Sequence, residues 1–250
     1  MNGCLSEIIP LRKFIFAAMK SNLIYAYIFS ISLLLISLSV SAQNSKAYFG
    51  FRSGASFPMG DYASTSLDGG SFATTGYFVS AEGAWFFKPH FGIGISGGIN
   101  QHPVDVWLLG YERVKADPSL EDTYIRSEPY LLLNAMLGLY YKHKIIERLS
   151  ATGRIQGGML YGQTPWQLHK QEFFMVGLVY GEITSAGDYG FAGKAGIDLR
   201  YDISSCFGLV INADIFYSKL SFAFGSAGGI RIDERKIMFI DTGFGLQFNL

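Results

Sequence analysis

The sequence carries little charge and almost no cysteine. Only 16% of its 250 residues are charged, and 20 Lys and Arg residues balance 20 Asp and Glu residues. A net charge of zero gives no electrostatic basis for binding nucleic acid. Of the two cysteines, Cys4 precedes the export signal described next, and Cys206 alone would remain in the mature chain. An internal disulfide is therefore excluded there.

Long apolar runs are also scarce, because Ser21 to Ala42 is the only one free of charge. It follows Lys20 and ends in Val40-Ser41-Ala42, which predicts a secretory signal cleaved after Ala42. The alternative is a retained transmembrane anchor, since about 20 apolar residues can span a bilayer. Met19-Lys20 would be a natural beginning for a signal, so we interpret residues 1–18 as the product of a mis-assigned upstream start. Cys4 follows no apolar run and is not interpreted as a lipidation site.

Glycine and aromatic residues are abundant, with 30 Gly, 21 Phe and 15 Tyr. The chain is too apolar for a disordered protein and too rich in glycine for a helical bundle. After Gln43 no stretch has a convincing apolar pattern at helical spacing, whereas alternation with a period of two recurs throughout. The sequence therefore predicts an all-β domain over residues 43–250.

The clearest alternation lies in residues 237–250. One face is apolar and consists of Met238, Ile240, Thr242, Phe244, Leu246, Phe248 and Leu250. The other face carries Ile237, Phe239, Asp241, Gly243, Gly245, Gln247 and Asn249. Residues 191–202 and 207–218 repeat the pattern. The apolar face suits lipid, and the other suits a narrow, partly polar interior.

Weaker alternation near residues 47–57, 76–87, 91–100, 129–142 and 149–161 brings the total to about eight strands of the length that a tilted membrane strand needs. Short connections at 88–90, 143–148 and 204–205 alternate with long ones at 58–75, 101–128, 162–190 and 219–236. Outer-membrane barrels have short periplasmic turns and long outer loops, so this spacing predicts a transmembrane, antiparallel, up-and-down β-barrel.

Two of the long connections contain β-prone segments, residues 104–114 and 172–184. We expect them to extend neighbouring hairpins above the membrane and to present a strand edge to a partner. If both segments crossed the membrane instead, the barrel would have ten strands.

Aromatic residues provide an independent indication of the membrane. Three outward-facing pairs lie about ten residues apart: Tyr77 and Phe87, Phe191 and Tyr201, and Phe207 and Tyr217. At about 3.3 Å per residue and a tilt of about 40°, this separation projects to about 25 Å, the height of the apolar band of such barrels. The alternative is a soluble sandwich or lipocalin-like barrel, in which the apolar face would be the inside.

These features resemble the small outer-membrane β-barrel family of OmpA/OmpX type, a porin-like barrel domain of Gram-negative bacteria. The resemblance covers Ala47 to Leu250. Phe244, Leu246, Phe248 and Leu250 resemble the family's assembly signal, although the common form ends in Phe rather than Leu. The resemblance implies a place in outer-membrane lipid and the barrel-assembly machinery as a partner during insertion. It implies no activity and no cofactor.

The alternation places eight charged residues on the interior face. They are Arg52, Glu82, Arg154, Lys194, Asp198, Arg200, Asp214 and Asp241. A desolvated charge without a partner costs several kcal/mol, and eight strands leave an interior that side chains fill. Four cations and four carboxylates therefore predict a paired network that braces and closes the lumen. The alternative is a narrow ion-conducting pathway or a gate.

The four histidines are candidates for metal binding or acid–base chemistry, but no two of them have a metal-ligand spacing. His90 and His143 fall at predicted turns, and His102 and His169 fall in predicted loops, where Asp105 or Glu172 could orient an imidazole. Isolated, solvated loop histidines are the simpler interpretation. The glycines at positions 92, 94, 97 and 98 do not form a phosphate-binding loop, because they lie inside an alternating strand. They are expected to relieve crowding or to let an aromatic side chain lie across the backbone.

The sequence thus predicts a non-enzymatic outer-membrane barrel with a structural role or a surface-interaction role through its outer loops. A small passive channel is the second hypothesis, and a lipid-modifying enzyme or protease at the rim is the third.

Overall fold

The structure is a computed structural model that describes residues 47–226 and 229–250. The predicted signal segment, its cleavage after Ala42, the start-codon interpretation and Cys4 all lie outside the described residues. They stay predictions.

Strands make up most of the described chain. They are β1 (Ala47–Met59), β2 (Gly76–Phe86), β3 (Phe91–His102), β4 (Leu120–Ser127), β5 (Tyr130–Ile146), β6 (Leu149–Gln163), β7 (Gln167–Phe173), β8 (Gly177–Ile183), β9 (Gly187–Asp202), β10 (Phe207–Ser226) and β11 (Gly229–Asn249). Helix α1 spans Val106–Ala116, and a short 3-10 turn spans Gly60–Tyr62. Among these described residues, no helix has the length and apolarity needed to cross a membrane.

Eight strands close into an antiparallel barrel in the order β1-β11-β10-β9-β6-β5-β3-β2. Closure joins β1 to β11, with Tyr48 opposite Asn249 at one end and Met59 opposite Met238 at the other. The predicted eight-stranded, up-and-down barrel is confirmed. The ten-stranded alternative is wrong, because the additional strands form a separate three-stranded sheet in the order β4-β7-β8.

The two ends of the barrel differ, and three of the four predicted long connections are confirmed. At the turn end, short connections join Phe86 to Phe91, Ile146 to Leu149 and Asp202 to Phe207. At the loop end, longer connections carry α1 and the sheet β4-β7-β8, which together we call the outer module.

The predicted long loop 219–236 is wrong. β10 and β11 stay paired through this segment, from Ser218 opposite Ile237 to Ser226 opposite Gly229. This segment carries several charges between Arg231 and Lys236, and a hairpin that extends beyond the bilayer places such charges in water. The alternation continues there, with Leu220 and Phe222 buried.

The outer module confirms one β-prone segment and corrects the other. Residues 177–183 form β8, as expected for a strand above the membrane. Residues 106–116 form α1 instead of a strand. Asp105 caps this helix, because its side chain accepts a hydrogen bond of 3.0 Å from the backbone N–H of Leu108. Leu109 of α1 packs with Phe72 and Ile125 in a small hydrophobic cluster.

Candidate functional site

Six charged side chains from five strands meet inside the barrel. The cations are Arg52 of β1, Arg154 of β6 and Lys194 of β9, and the carboxylates are Glu82 of β2, Asp198 of β9 and Asp214 of β10. All six are buried. We call this set the ion cluster. Its charges balance, three against three, as burial in a medium of low dielectric constant requires.

Arg154 lies at the centre of the ion cluster. Its Nη1 lies 2.5 Å from Oδ2 of Asp198 and 3.4 Å from Oε2 of Glu82. Its Nη2 lies 2.5 Å from both carboxylate oxygens of Asp214. One guanidinium therefore joins carboxylates of three strands, which the planar, five-donor geometry of arginine permits.

Arg52 and Lys194 extend the cluster to both sides. Arg52 pairs with Glu82 and lies 2.5 Å from Oδ2 of Asp198. Nζ of Lys194 lies 3.9 Å from Oδ2 of Asp214 and 4.9 Å from the centroid of the Phe216 ring. The ion pairs thus connect β1 with β10 across the barrel interior.

Neutral side chains supply further hydrogen bonds to Glu82. Tyr48 donates from its hydroxyl at 2.7 Å, Tyr140 at 3.4 Å, and Gln247 from its amide at 3.3 Å. Sequence reasoning did not single out these residues, although Gln247 lies on the predicted interior face. The sequence could have indicated these residues, because each lies on the interior face of its strand, where the charged residues also lie.

Two glycines make room for the ion cluster. A methyl group on Gly196 would overlap the carboxylate of Asp214. One on Gly245 would lie 2.8 Å from Cγ of Arg52. Gly94 was expected to relieve crowding inside the barrel. A Cβ added to Gly94 would lie 2.7 Å from the ring of Tyr140, which agrees with that role.

Two of the eight predicted interior charges lie apart from the cluster. Arg200 lies 2.6 Å from Oδ1 of Asp202 and donates to Oδ1 of Asn249 at 2.8 Å, close to the turn end. Asp241 accepts two hydrogen bonds from Nδ2 of Asn100, at 2.8 and 2.9 Å, and is within 4 Å of no cation among the described residues. All eight residues are buried, but the structure brings only six of them together.

An apolar layer fills the barrel between the ion cluster and the loop end. It consists of Leu132, Leu160, Leu220, Phe222, Ile237 and Phe239, each at most 1% exposed. The ring of Phe239 stacks on that of Phe216 with centroids 4.6 Å apart. Sequence reasoning missed this layer because Leu220 and Phe222 fell in a predicted loop. Two consecutive layers of side chains therefore occupy the lumen.

A serine–histidine pair lies beside this layer. Nε2 of His102 is 2.8 Å from Oγ of Ser56, and its Nδ1 is 3.2 Å from the hydroxyl of Tyr62. The distance suits a nucleophile and its base, but Ser56 and His102 are both 0% exposed. The pair is enclosed by other side chains, so the hydrogen bond between Ser56 and His102 is a packing contact of the barrel interior.

The outside of the barrel is apolar. Ile211 of β10 is 66% exposed and Phe244 of β11 is 70% exposed, whereas their inward neighbours Asn212 and Gly245 are buried. The predicted outward aromatic residues are exposed or half-buried: Tyr77, Phe87, Phe191, Tyr201, Phe207 and Tyr217. A soluble barrel would have the opposite facing, so that alternative is wrong. A closed barrel, apolar outside and charged inside, is the outer-membrane type.

The chain is an outer-membrane β-barrel. In such barrels the short turns are periplasmic and the longer loops extracellular, so we expect the outer module to face the cell's surroundings.

Solved structures of similar architecture are barrels of outer membranes. The attachment invasion locus protein Ail of Yersinia pestis has 16% sequence identity and a TM-score of 0.43, covering 82% of this chain and 100% of that chain. OprG of Pseudomonas aeruginosa has 15% identity and a TM-score of 0.43, covering 84% and 99%. A major outer membrane protein of Thermus thermophilus has 11% identity and a TM-score of 0.47, covering 82% and 99%.

No protein-family model matches the chain, and no curated protein matches it. The strand pairing and the apolar outer surface of the chain are the features that make it an outer-membrane barrel.

The histidines of the outer-membrane barrel do not come together. His90 lies at a turn, with Nδ1 2.9 Å from the carbonyl oxygen of Lys142, and His143 is exposed on β5. His102 and His169 were expected in solvated loops, but both are buried in strands. Within residues 47–226 and 229–250, no three His, Cys, Asp or Glu residues are placed to hold a metal ion. Asp105 caps α1 instead of orienting an imidazole.

His169 lies on β7 in the outer module, outside the membrane. Its Nε2 is 3.0 Å from Oε1 of Gln167, and its Nδ1 is buried with no hydrogen-bond partner in the described part of the chain. Burial, together with the positive charge of Arg113, lowers the pKa of His169 to about 4. His169 is therefore neutral at physiological pH.

The predicted assembly-signal residues lie on the strand that closes the barrel. Phe244, Leu246 and Phe248 are exposed on the outer face of β11, and Leu250 follows the end of that strand. Their role in assembly stays a prediction.

Proposed function

We propose that this protein is a non-conducting outer-membrane barrel that holds a folded module outside the cell for contact with other surface molecules. The observation that carries the proposal is the double filling of the lumen by the ion cluster and the apolar layer. An ion that entered from the loop end would have to cross the apolar layer without its hydration shell, which is costly. The barrel then serves as an anchor rather than as a channel.

The outer module has the features of a contact surface. β8 pairs with β7 on one side only, and no other described strand pairs with its free edge. The β7–β8 hairpin ends in Phe174, Met175 and Val176, all strongly exposed, with Met175 at 86%. An unpaired edge is a template for an added strand, and exposed apolar side chains gain stability on burial. An extended segment of another surface molecule fits both properties.

Conductance in planar bilayers tests the closed barrel. We expect refolded wild-type protein to give no steady single-channel currents, while circular dichroism of the same preparation in vesicles confirms a folded β-structure. Large, steady currents would contradict the proposal and support the small passive channel.

Thiol labelling of intact cells tests the contact surface. In a Cys206→Ser background, Tyr180→Cys places a thiol on β8, and Glu121→Cys places one at an exposed control position on β4. A membrane-impermeant maleimide should label the control equally on cells and on purified protein, whereas a bound partner should reduce labelling at position 180 on cells. Equal labelling at position 180 in both preparations would contradict a surface contact through β8.

A further inference from the structure

A cavity of about 350 Å³ lies at the loop end, beside the outer module. Its walls come from several elements: Leu67 and Phe72 of the β1–β2 connection, Leu109 and Arg113 of α1, Gln167 of β7, and Phe224 of β10 among others. Ligand pockets in proteins begin at about this volume and combine apolar walls with a few polar groups. The cavity has the size and the mixed lining of a small-molecule site.

The charges around the cavity leave one cation without a partner. Arg231 and Arg235 share Asp233, with Nη2 atoms 2.6 and 3.6 Å from its Oδ2. Glu182 accepts a hydrogen bond of 2.5 Å from Nε1 of Trp166. Arg113 has no carboxylate within 4 Å among the described residues.

Arg113 is half-buried, and this burial lowers the pKa of its guanidinium. An unpaired, partly desolvated guanidinium has lost hydration without gaining an ionic partner, which an anionic ligand would supply. The side chain amide of Gln167 lies on the same cavity wall and can donate to the same anion.

The backbone of Phe72 is a second, independent indication of a site. Phe72 has a φ of 51°, in the left-handed region that side chains other than glycine rarely adopt. Its N–H donates to the carbonyl oxygen of Ser64 at 3.0 Å, and its carbonyl oxygen accepts from the N–H of Asp105 at 2.8 Å. These bonds hold the strained residue in the cavity wall beside α1. Backbone strain of this kind is concentrated at ligand-binding and functional sites.

We propose that this cavity binds small organic anions, in which one carboxylate, sulfonate or sulfate group is attached to an apolar body. The anionic group pairs with Arg113, and the apolar body packs against Leu67, Phe72 and Leu109. Glu182 and Ile183 of β8 also line this cavity, but anion binding uses Arg113 and the apolar wall rather than the free edge of β8, so the proposal does not rest on the surface contact.

Calorimetric titration of the purified protein in nanodiscs of zwitterionic phospholipid tests the proposal. The probe is naphthalene-2-sulfonate, and the matched neutral probe is naphthalene-2-sulfonamide. We expect saturable binding of the sulfonate and at least tenfold weaker binding of the sulfonamide. Equal affinities for the two probes, or no saturable binding of the sulfonate, would overturn the proposal.

Variants locate the binding to Arg113. Arg113→Gln should weaken sulfonate binding at least tenfold, Arg113→Lys should weaken it less, and Arg148→Gln at a periplasmic turn should leave it unchanged. Because Arg113→Gln could disturb α1, Leu67→Glu serves as a second variant that places a carboxylate in the cavity wall without changing α1. It should weaken sulfonate binding more than binding of the neutral probe, because both probes lose the apolar contact with Leu67 and only the sulfonate is repelled by the new carboxylate. Wild-type affinity in both Arg113→Gln and Leu67→Glu would overturn the assignment.

Discussion

Arg154 and Asp214 lie on β6 and β10, which are separated by β9, and Nη2 of Arg154 is 2.5 Å from both carboxylate oxygens of Asp214. Replacing either residue with leucine leaves a buried charge without its main partner, so we expect each single variant to lose about 3 to 5 kcal/mol of unfolding free energy. The double variant keeps two charges of each sign in the ion cluster. Its loss should be smaller than the sum of the single losses by about 0.5 to 3 kcal/mol in a double-mutant cycle measured by urea unfolding in lipid.

Arg200 and Asp241 provide the matched control for this cycle. Both are buried charges of the same barrel interior, but they have separate partners, Asp202 and Asn100. Their substitutions should add within about 0.5 kcal/mol. Additive effects for Arg154 and Asp214 as well would contradict a coupled ion cluster.

These two pairs differ in a property that the sequence does not predict, namely which interior charges are in contact. Alternation alone places Lys194, Asp198 and Arg200 on the interior face of β9, because the side-chain period of a strand is two. Which charges meet depends on the stagger between strands and on distances across the barrel, and neither is encoded in the spacing along one strand. Arg154 with Asp214 and Arg200 with Asp241 are equally plausible from sequence, and only the first pair is in contact.

The outer module was harder to predict for a different reason. Residues 104–114 have an apolar, β-prone composition, but Asp105 at the N-cap and Leu108, Leu109 and Glu112 also favour a helix. The helix preference of these residues and the N-cap at Asp105 outweighed the β-prone composition of the segment. The predicted connection at 219–236 was wrong because the length of barrel strand beyond the bilayer cannot be read from apolarity.

Arginine substitutions on the lipid face test the facing of the barrel strands. Leu199 of β9 and Ile211 of β10 lie on its exposed apolar surface. Leu199→Arg and Ile211→Arg should each lower the unfolding free energy in lipid by about 2 to 4 kcal/mol, because a guanidinium near the middle of the bilayer is poorly solvated.

Val176→Arg is the control for this prediction. It makes the same kind of change at an exposed position in the tip of the β7–β8 hairpin, where the arginine stays in water. It should leave the unfolding free energy almost unchanged. A larger loss for Val176→Arg than for Leu199→Arg would reverse the assigned facing.

The lowered pKa of His169 predicts that the outer module is destabilised by acid. An unfolded histidine has a pKa near 6.5, whereas His169 in the folded module has a pKa of about 4. Between these values the unfolded state binds more protons, so the stability of the module is complete above pH 6.5 and decreases as the pH falls towards 4. The protection factors of the β7 and β8 amides, which compare measured exchange with intrinsic exchange at the same pH, should decrease as the pH falls through this range.

His169→Gln should remove this decrease in protection, because glutamine does not titrate. The protection factors of the β10 and β11 amides in the membrane serve as an internal reference and should not change with pH. The same pH response in His169→Gln and in the wild type would assign the effect to another group.

The last prediction concerns insertion into the membrane. Phe248 lies on the outer face of β11, opposite Phe207 and Phe49 of the two adjacent strands. If the C-terminal strand carries the assembly signal, Phe248→Ser should reduce the amount of barrel inserted in cells several-fold. Phe51→Ser is the matched control, since Phe51 is an exposed phenylalanine on β1, opposite Leu246, and outside the C-terminal strand. Both variants remove one aromatic side chain from the lipid face, so both should lose a similar unfolding free energy after refolding in detergent. Only Phe248→Ser should also impair insertion in cells, measured as the folded fraction in isolated outer membranes. Equal insertion of the two variants would show that the C-terminal strand contributes stability alone.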